Sequence, residues 1–551
     1  MRSILGLQMI TCWELLGLAA LSLIAGGANA SLLYFVSRSI TTDRIELLFN
    51  GGLFFLALIV FVTAQAVLSR ALVNYSERFL SHTRMTLCRL LLRCRYESFE
   101  TFGQSRFWST ATHDTMILGQ MWPNLISTLV SAITIVLLLA YLAVFSPRHF
   151  LVMLILIGIG IAIYSVAMRH ARQVLHRARA RHDNLLDWIN DLLQGMKELK
   201  LDHKKRVLFL PALEKENTDY VRETVAAQQR LQRATTFGNG SFFMVIGVIA
   251  FTFPMLSNID DRSQFAFLVV LIYLVGPLVR VTSGMGFLST AAVAAQRVLG
   301  LRETLEANAE TACSLSEKTE GGVITSDWRS LSLNQITYTY ARSSSPDPFT
   351  FGPISLTIKR GEVVFVIGAN GAGKTTLAKV MAGLYLPSSG SMTLDDVPIT
   401  AANIDSYRQL FATIFRDYHV SEKLAQTDGT LRQRLPHVFS QLGFPEDANL
   451  ADESLEFSKL SHGQRGRIAL ALAQTDDKSI YLFDEWAADQ DPAARAHFYA
   501  YVLPLLKEQG KTGIVISHDD RYFGAADRIV TIEHERGPME MISGLTSPAF
   551  T

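Results

Sequence analysis

Apolar and polar positions divide the chain into two parts of different character. Up to Ala295 the sequence is dominated by long apolar runs, and beyond it the runs are short and mixed with charge. A helix that crosses the hydrocarbon layer needs about 20 mostly apolar residues. Leu15–Val36, Leu47–Leu68, Met116–Pro147, Phe150–Met168 and Phe237–Ile259 contain no charged residue, and Phe265–Ala295 is interrupted only by Arg280. These six runs predict an all-α, six-span transmembrane domain over residues 1–300.

Cations are placed unevenly between the runs. Arg70, Arg78, Arg84, Arg89, Arg93 and Arg95 follow the second. Arg169, Arg172, Arg177, Arg179, Arg181, Lys197, Lys200, Lys204, Lys205 and Arg206 follow the fourth. Short loops rich in Lys and Arg stay on the cytoplasmic side. Both long basic loops and both termini are therefore expected in the cytoplasm. Ala28-Asn29-Ala30 resembles a signal-peptide cleavage site. Cleavage there would leave five spans and a topology at odds with the cation bias, so the first run is read as a span. The basic loops admit two readings. They are helices held near anionic headgroups, or their tips, Phe99–Trp108 and Lys197–Leu208, dock on the second half of the chain. Arg280 also admits two: a group lining a substrate pathway, or a paired or snorkelling cation near the cytoplasmic end.

Leu301–Thr325 is polar and lacks a strong period, and it is read as a linker (301–325) to a second domain, 326–551. Strand character follows near Leu331–Tyr340 and Ile354–Ile358. Glu362–Ile367 reads as a buried strand. It leads into Gly368-Ala369-Asn370-Gly371-Ala372-Gly373-Lys374-Thr375, a full GxxxxGK[ST] match, and then into an apolar helical stretch, Leu377–Leu384. Strand, glycine loop and helix are in the order that a phosphate-binding loop requires. Glycines let backbone N–H groups close on phosphate oxygens, and the helix N-terminus adds positive potential. Asn370, Gly371, Gly373, Lys374, Thr375 and Thr376 are the expected phosphate contacts, with the Thr375 hydroxyl also directed to Mg²⁺. A second apolar strand, Ile480–Phe483, ends in Asp484-Glu485. Asp484 suits a Mg²⁺-facing carboxylate, and Glu485 a general base that polarises the attacking water. The fold expected here is an α/β P-loop NTPase using ATP and Mg²⁺.

Composition adds little. Lys+Arg number 51 and Asp+Glu 50, so the net charge of +1 gives no whole-chain argument for nucleic-acid binding. Cys12, Cys88, Cys94 and Cys313 form no CxxC pair, which argues against a zinc or disulfide framework.

Between the two motifs stands Leu460-Ser461-His462-Gly463-Gln464, followed by a helical stretch, Arg465–Ala473. With these residues the chain resembles the ATP-binding cassette (ABC) transporter family over nearly its whole length. The family's signature is LSGGQ, and His462 replaces one glycine. The resemblance implies that Ser461, Gly463 and Gln464 meet ATP held by an opposite subunit, hence a homodimer in a lipid bilayer. It also implies that His518, at the end of strand Ile514–Ser517, senses the γ-phosphate, and that Asp491 lies in a dimer-facing loop. Tyr340 resembles the aromatic that stacks on adenine, with Tyr338 the competing choice. Two positions depart from the family pattern. Arg416 stands where glutamine is usual, and Ala488 where serine is common.

The string Asp484-Glu485-Trp486-Ala487-Ala488-Asp489-Gln490-Asp491-Pro492, with Gly352-Pro353-Ile354-Ser355-Leu356 and Ser517-His518-Asp519-Asp520, is similar to the bacterial branch that exports cyclic peptides and peptide siderophores, the pyoverdine and syringomycin type. That likeness implies an inner-membrane exporter of a peptide or siderophore precursor. A flippase for a lipid or lipid-linked substrate is the alternative of the same class. An ATP-gated channel or regulator is the alternative of another.

Overall fold

The computed structural model describes residues 12–41, 44–145, 150–151, 154–155, 158, 181, 184–256, 261–310, 327–340, 349–421, 423, 429–444 and 459–532. They fall into two compact units, Met1–Thr86 with Trp108–Leu301, and Leu87–Phe107 with Arg302–Thr551.

The first unit is helical. Its long helices are Cys12–Thr41, Arg44–Arg93, Thr115–Phe145, His203–Leu256 and Asp261–Ala307. Among the described residues, four stretches are long and apolar enough to cross a membrane: Leu16–Ser39, Leu48–Arg93, Arg106–Val144 and Leu268–Ala307. They overlap the first, second, third and sixth expected runs. Most of the fourth run lies outside the described residues, and residues 237–256 of the fifth form the end of helix His203–Leu256. Helix Arg44–Arg93 has 50 residues; at about 1.5 Å per residue it far outruns a hydrocarbon layer of about 30 Å.

Small residues let these helices approach closely. A Cβ on Gly26 would lie 2.8 Å from the Ile133 side chain. Ser76 donates to the Gly119 carbonyl at 2.7 Å. The Asn29 amide donates to the Thr134 hydroxyl at 3.4 Å, and the Tyr273 hydroxyl donates to the Asn29 side-chain oxygen. Without water to drive apolar association, small residues and interhelical hydrogen bonds are what hold membrane helices together.

Helix Asp261–Ala307 runs on through the first residues of the stretch read as a linker. Leu301 and Leu305, one turn apart on one face, are both buried and carry the helix forward. Residues 311–326 lie outside the described residues.

The second unit has two sheets. Strands β1 (Ser330–Thr339), β2 (Thr350–Lys359), β4 (Ser389–Leu394) and β5 (Val397–Pro398) form an antiparallel sheet in the order β2-β1-β4-β5. Strands β3 (Val363–Gly368), β6 (Phe411–Ile414), β7 (Ile480–Asp484), β8 (Thr512–Ile516) and β9 (Arg528–Ile532) form a parallel sheet in the order β6-β7-β8-β3-β9. Strand β3 explains the layering. Val364 and Val366 face a core shared with Phe351, Leu377 and Met381, while Val363 and Phe365 face a core with Phe439, Phe483 and Phe498. A parallel strand covered on both faces reads as an unbroken apolar run, which is why β3, β7 and β8 stood out in the sequence.

The second unit also takes in a short helix from the first basic loop, Tyr96–Phe102. Glu97 accepts from the Leu386 backbone N–H at 2.8 Å, and Lys379 donates to Glu100 at 2.8 Å. The Tyr385 hydroxyl donates to the other Glu100 oxygen. Of the expected docking tip Phe99–Trp108, only the part up to Phe107 belongs here; Gly103, at φ +80°, ends the helix. The other expected tip, Lys197–Leu208, lies in the first unit.

Candidate functional site

The C-terminal edge of the parallel sheet is where an open α/β sheet presents its ligand groups. Register fixes what each strand delivers there. Ile414 pairs with Phe483, Asp484 with Ile516, and Val366 with Ile516. Strand β6 therefore leads to Arg416, β7 to Asp484 and Glu485, β8 to Ser517 and His518, and β3 to the glycine loop.

Helix Lys374–Met381 starts at Gly373, whose φ of +92° favours glycine. A Cβ on Gly373 would lie 2.3 Å from the Phe351 ring, so the position also needs glycine for space. Lys374 is buried and donates to the carbonyl oxygens of Gly368 at 2.9 Å and Ala369 at 3.0 Å. Burial pulls its ammonium below the ordinary lysine value, against the nearby acids Glu485 and Asp484. Asn370, Gly371 and Thr375 are exposed at the loop surface. Thr376 is buried and shares a hydrogen bond of 2.7 Å with the Tyr340 hydroxyl. Tyr338 is buried and stacked on Tyr385 with ring centres 4.4 Å apart. Tyr340 meets Tyr338 edge to face at 5.0 Å and stays half-buried.

Asp484 is buried at the end of β7. Burial pushes its carboxyl above the usual range, and a hydrogen bond with Thr375 opposes that rise. One of its oxygens, Oδ2, has no hydrogen-bond partner. A buried carboxylate oxygen left unmatched is costly, and a hydroxyl and a carboxylate are hard oxygen donors of the kind Mg²⁺ takes. The pair Thr375 and Asp484 fits that ion.

Glu485 follows in a left-handed turn at φ +54°. Its backbone N–H donates to the Ile516 carbonyl at 3.1 Å. Its carboxylate lies 3.3 Å from His518 Nε2 and 3.2 Å from the Arg416 guanidinium. The structure thus brings together Lys374, Asp484, Glu485 and His518 at one sheet edge.

The signature segment is organised differently. Ser461 caps helix His462–Thr475, its hydroxyl accepting from Gln464 N–H at 3.2 Å, while the Gln464 side-chain oxygen accepts from Ser461 N–H at 2.9 Å. This reciprocal box satisfies two otherwise orphaned donors. Both Ser461 and Gln464 are thus engaged within the chain. Gly463 is half-buried near Asp489, where a Cβ would meet the carbonyl at an ordinary 3.5 Å. Asp491 caps helix Pro492–His497 by accepting from Ala494 N–H at 2.8 Å. Arg280 is exposed on its helix in the first unit.

Several supporting residues carry no motif. The Trp486 indole donates to the Gly466 carbonyl at 2.9 Å and so ties the residue after Glu485 to the signature helix. Arg495 donates to the carbonyls of Ala487, Ala488 and Gln490 at 3.1, 3.1 and 3.2 Å, and lies 3.5 Å from Asp519. It joins the loop after Glu485 to the loop after His518. An arginine within an ordinary short helix gives no signal for that role.

A glycine loop cradling a buried lysine beside a strand-end Asp-Glu pair, joined in one chain to long apolar helices, defines a membrane-bound P-loop ATPase. The family description "ABC transporter" matches residues 351–488, and "ABC transporter transmembrane region" matches residues 15–278. "ATP-binding protein SyrD" of Pseudomonas syringae pv. syringae is 31% identical over 528 residues, covering 93% of this chain and 91% of its own. An "ATP-dependent lipid A-core flippase" of Thiobacillus denitrificans is 25% identical, covering 75% and 71%. A bacterial Atm1-family ABC exporter solved with ATP bound superposes with a TM-score of 0.77 at 15% identity, covering 94% and 93%. The chain belongs to the ABC transporter family. It is an ABC exporter whose ATP hydrolysis is coupled to transport.

Proposed function

We propose that this exporter moves a cyclic or modified peptide, such as a siderophore precursor, out of the cytoplasm across the bacterial inner membrane. It works as a homodimer, with residues 1–300 as the transmembrane part, 301–325 as the linker and 326–551 as the nucleotide-binding domain. Both termini and the nucleotide-binding domains face the cytoplasm. The observation that carries the ATP reading is the convergence of Lys374, Asp484, Glu485 and His518 on one sheet edge.

In this reading the glycine-loop N–H groups and Lys374 bind the phosphates. ATP displaces the Lys374 ammonium from the carbonyls of Gly368 and Ala369. Tyr340 stacks on adenine, since Tyr338 already has a face covered by Tyr385. Thr375 and Asp484 hold Mg²⁺, which neutralises charge on the terminal phosphates. Glu485 takes a proton from the attacking water, and His518 orients the Glu485 carboxylate and contacts the γ-phosphate. Ser461 and Gly463 of one subunit close over ATP bound by the other. Closure moves the helix Tyr96–Phe102 through the Glu100–Lys379 contact, since Lys379 sits on the phosphate-loop helix. Arg280 faces the substrate pathway.

The peptide substrate is supported by the Asp484–Pro492 string and by near-full-length similarity to SyrD. A lipid-linked substrate is the second reading, favoured by similarity to lipid A-core flippases. Inverted membrane vesicles separate the two. ATP-dependent accumulation of a cyclic peptide or siderophore precursor is expected; movement of lipid with no peptide uptake would replace the first reading with the second.

A further inference from the structure

Arg416, where the family usually has glutamine, is built into the site rather than merely tolerated. It lies on the turn after β6, and Glu485 lies after the neighbouring strand β7. The turn is held from both sides. Tyr418 N–H donates to the Phe415 carbonyl at 3.1 Å, Phe415 packs on one core, and Tyr418 packs on the other. The Tyr418 hydroxyl donates to the His462 carbonyl at 2.7 Å, with the two rings edge to face at 5.3 Å. The turn's backbone is thereby fixed, and the Arg416 guanidinium reaches Glu485 at 3.2 Å.

The two partners are unequally held. The Glu485 side chain is 20% exposed and braced by His518, whereas the Arg416 side chain is 71% exposed. The carboxylate is the better-braced member and the cation the more exposed one. An exposed pair of this kind is weak enough to exchange. Val366 and Asp484 both pair with Ile516, so the glycine loop after β3 and Glu485 after β7 open on the same sheet edge. A terminal phosphate brought there carries more charge than a carboxylate, and guanidinium binds phosphate through paired N–H bonds.

We infer that Arg416 changes partners: it holds Glu485 until ATP binds and then passes to the terminal phosphate, releasing the base only when a triphosphate is present. Arg416 is a positioning residue that discriminates ATP from ADP. This step rests on the base role proposed for Glu485.

The test uses the full-length protein in nanodiscs, with a non-hydrolysable ATP analogue and ADP as probes. Arg416→Gln is expected to weaken the analogue about fivefold relative to ADP, the loss of one charge-assisted contact. Arg416→Lys, which keeps the charge but not the paired N–H bonds, is expected to recover part of that ratio. Equal losses for both nucleotides, or none, would overturn the inference. In an analogue-bound structure of the unaltered protein the guanidinium is expected on the terminal phosphate; finding it still on Glu485 would also overturn it. Glu485→Gln keeps the two claims apart. Normal turnover in that variant removes the base role, while the ATP-to-ADP ratio of the Arg416 variants reads the partner exchange by itself.

Discussion

The sheet edge and the signature helix sit in the same unit and are built on opposite plans. At the sheet edge four strands deliver unlike charges to one place, and demands are left open. Asp484 Oδ2 has no partner, and the Lys374 ammonium rests on loop carbonyls. At the signature helix, Ser461 and Gln464 satisfy each other through a capping box. The first region leaves a buried carboxylate oxygen unmatched, whereas the second satisfies its own donors within the chain. A preformed helix N-terminus with a satisfied cap is a rigid anion-facing surface. That suits a surface offered to another chain's nucleotide. In the proposed homodimer, affinity for ATP lies at the sheet edge and dependence on association at the helix.

The largest effect expected is at the sheet edge. Glu485→Gln should lower turnover by about 10²–10⁴-fold, the range for loss of a general base, while ATP binding persists. Phosphate release and nucleotide-binding assays on one sample read both. Next, Gly373→Ala forces a methyl group toward Phe351 at a left-handed backbone position. Strain of about 1–3 kcal/mol is expected, with weakened ATP binding; unchanged affinity would mean that the loop needs no such shape.

At the helix, Ser461→Ala should cost about 1 kcal/mol of stability through the cap. ATPase activity should fall further than that loss explains, because in the proposed dimer the hydroxyl would also meet the partner's nucleotide. Thermal unfolding and steady-state rates measured together decide this. A stability loss with full activity would leave Ser461 as a cap alone.

The smallest effect concerns Glu100 on helix Tyr96–Phe102. Burial raises its carboxyl pKa, but the bonds from Lys379 and Tyr385 outweigh that and hold it below the ordinary value. A carboxyl depressed in the folded state stabilises above its unfolded pKa and loses that contribution as pH falls through the folded value. The difference in melting temperature between the unaltered chain and Glu100→Gln should therefore hold steady from pH 7 to about pH 4.5, near the free glutamate value, and shrink only below it. The pair is partly exposed, so less than about 1 kcal/mol is expected.

The sequence carried much of the sheet edge because its groups lie in contiguous motifs. Lys374 and Thr375 follow the glycines directly, and Asp484-Glu485 closes an apolar strand. What was not legible depends on strand order. Arg416 was visible as a departure from the family pattern, but its contact with Glu485 arises because β6 lies beside β7. A period-2 pattern says that a strand has two faces and nothing about its neighbour. The same holds for Glu310, which pairs with Arg408 through paired hydrogen bonds, one of them 2.7 Å. Helix Tyr96–Phe102 overlaps an expected docking tip, but its start was hidden because Arg93 and Arg95, on either side of Cys94, continue the basic character of the preceding helix. In the membrane half, apolar runs announced helices without announcing contacts. Asn29, Thr134 and Tyr273 lie within three separate runs, and only packing joins them.

In the proposed homodimer, each ATP site takes its phosphate loop from one chain and its signature from another. This sharing is tested by mixing two inactive variants, Lys374→Ala and Gly463→Asp, and measuring ATPase activity of the purified mixed dimer. The second variant has room for a Cβ, so its added carboxylate should repel phosphate without disrupting the helix. Recovery is expected, because the mixed dimer holds one site with both an intact phosphate loop and an intact signature. No recovery in a dimer shown to contain both chains would contradict it and confine each site to a single chain.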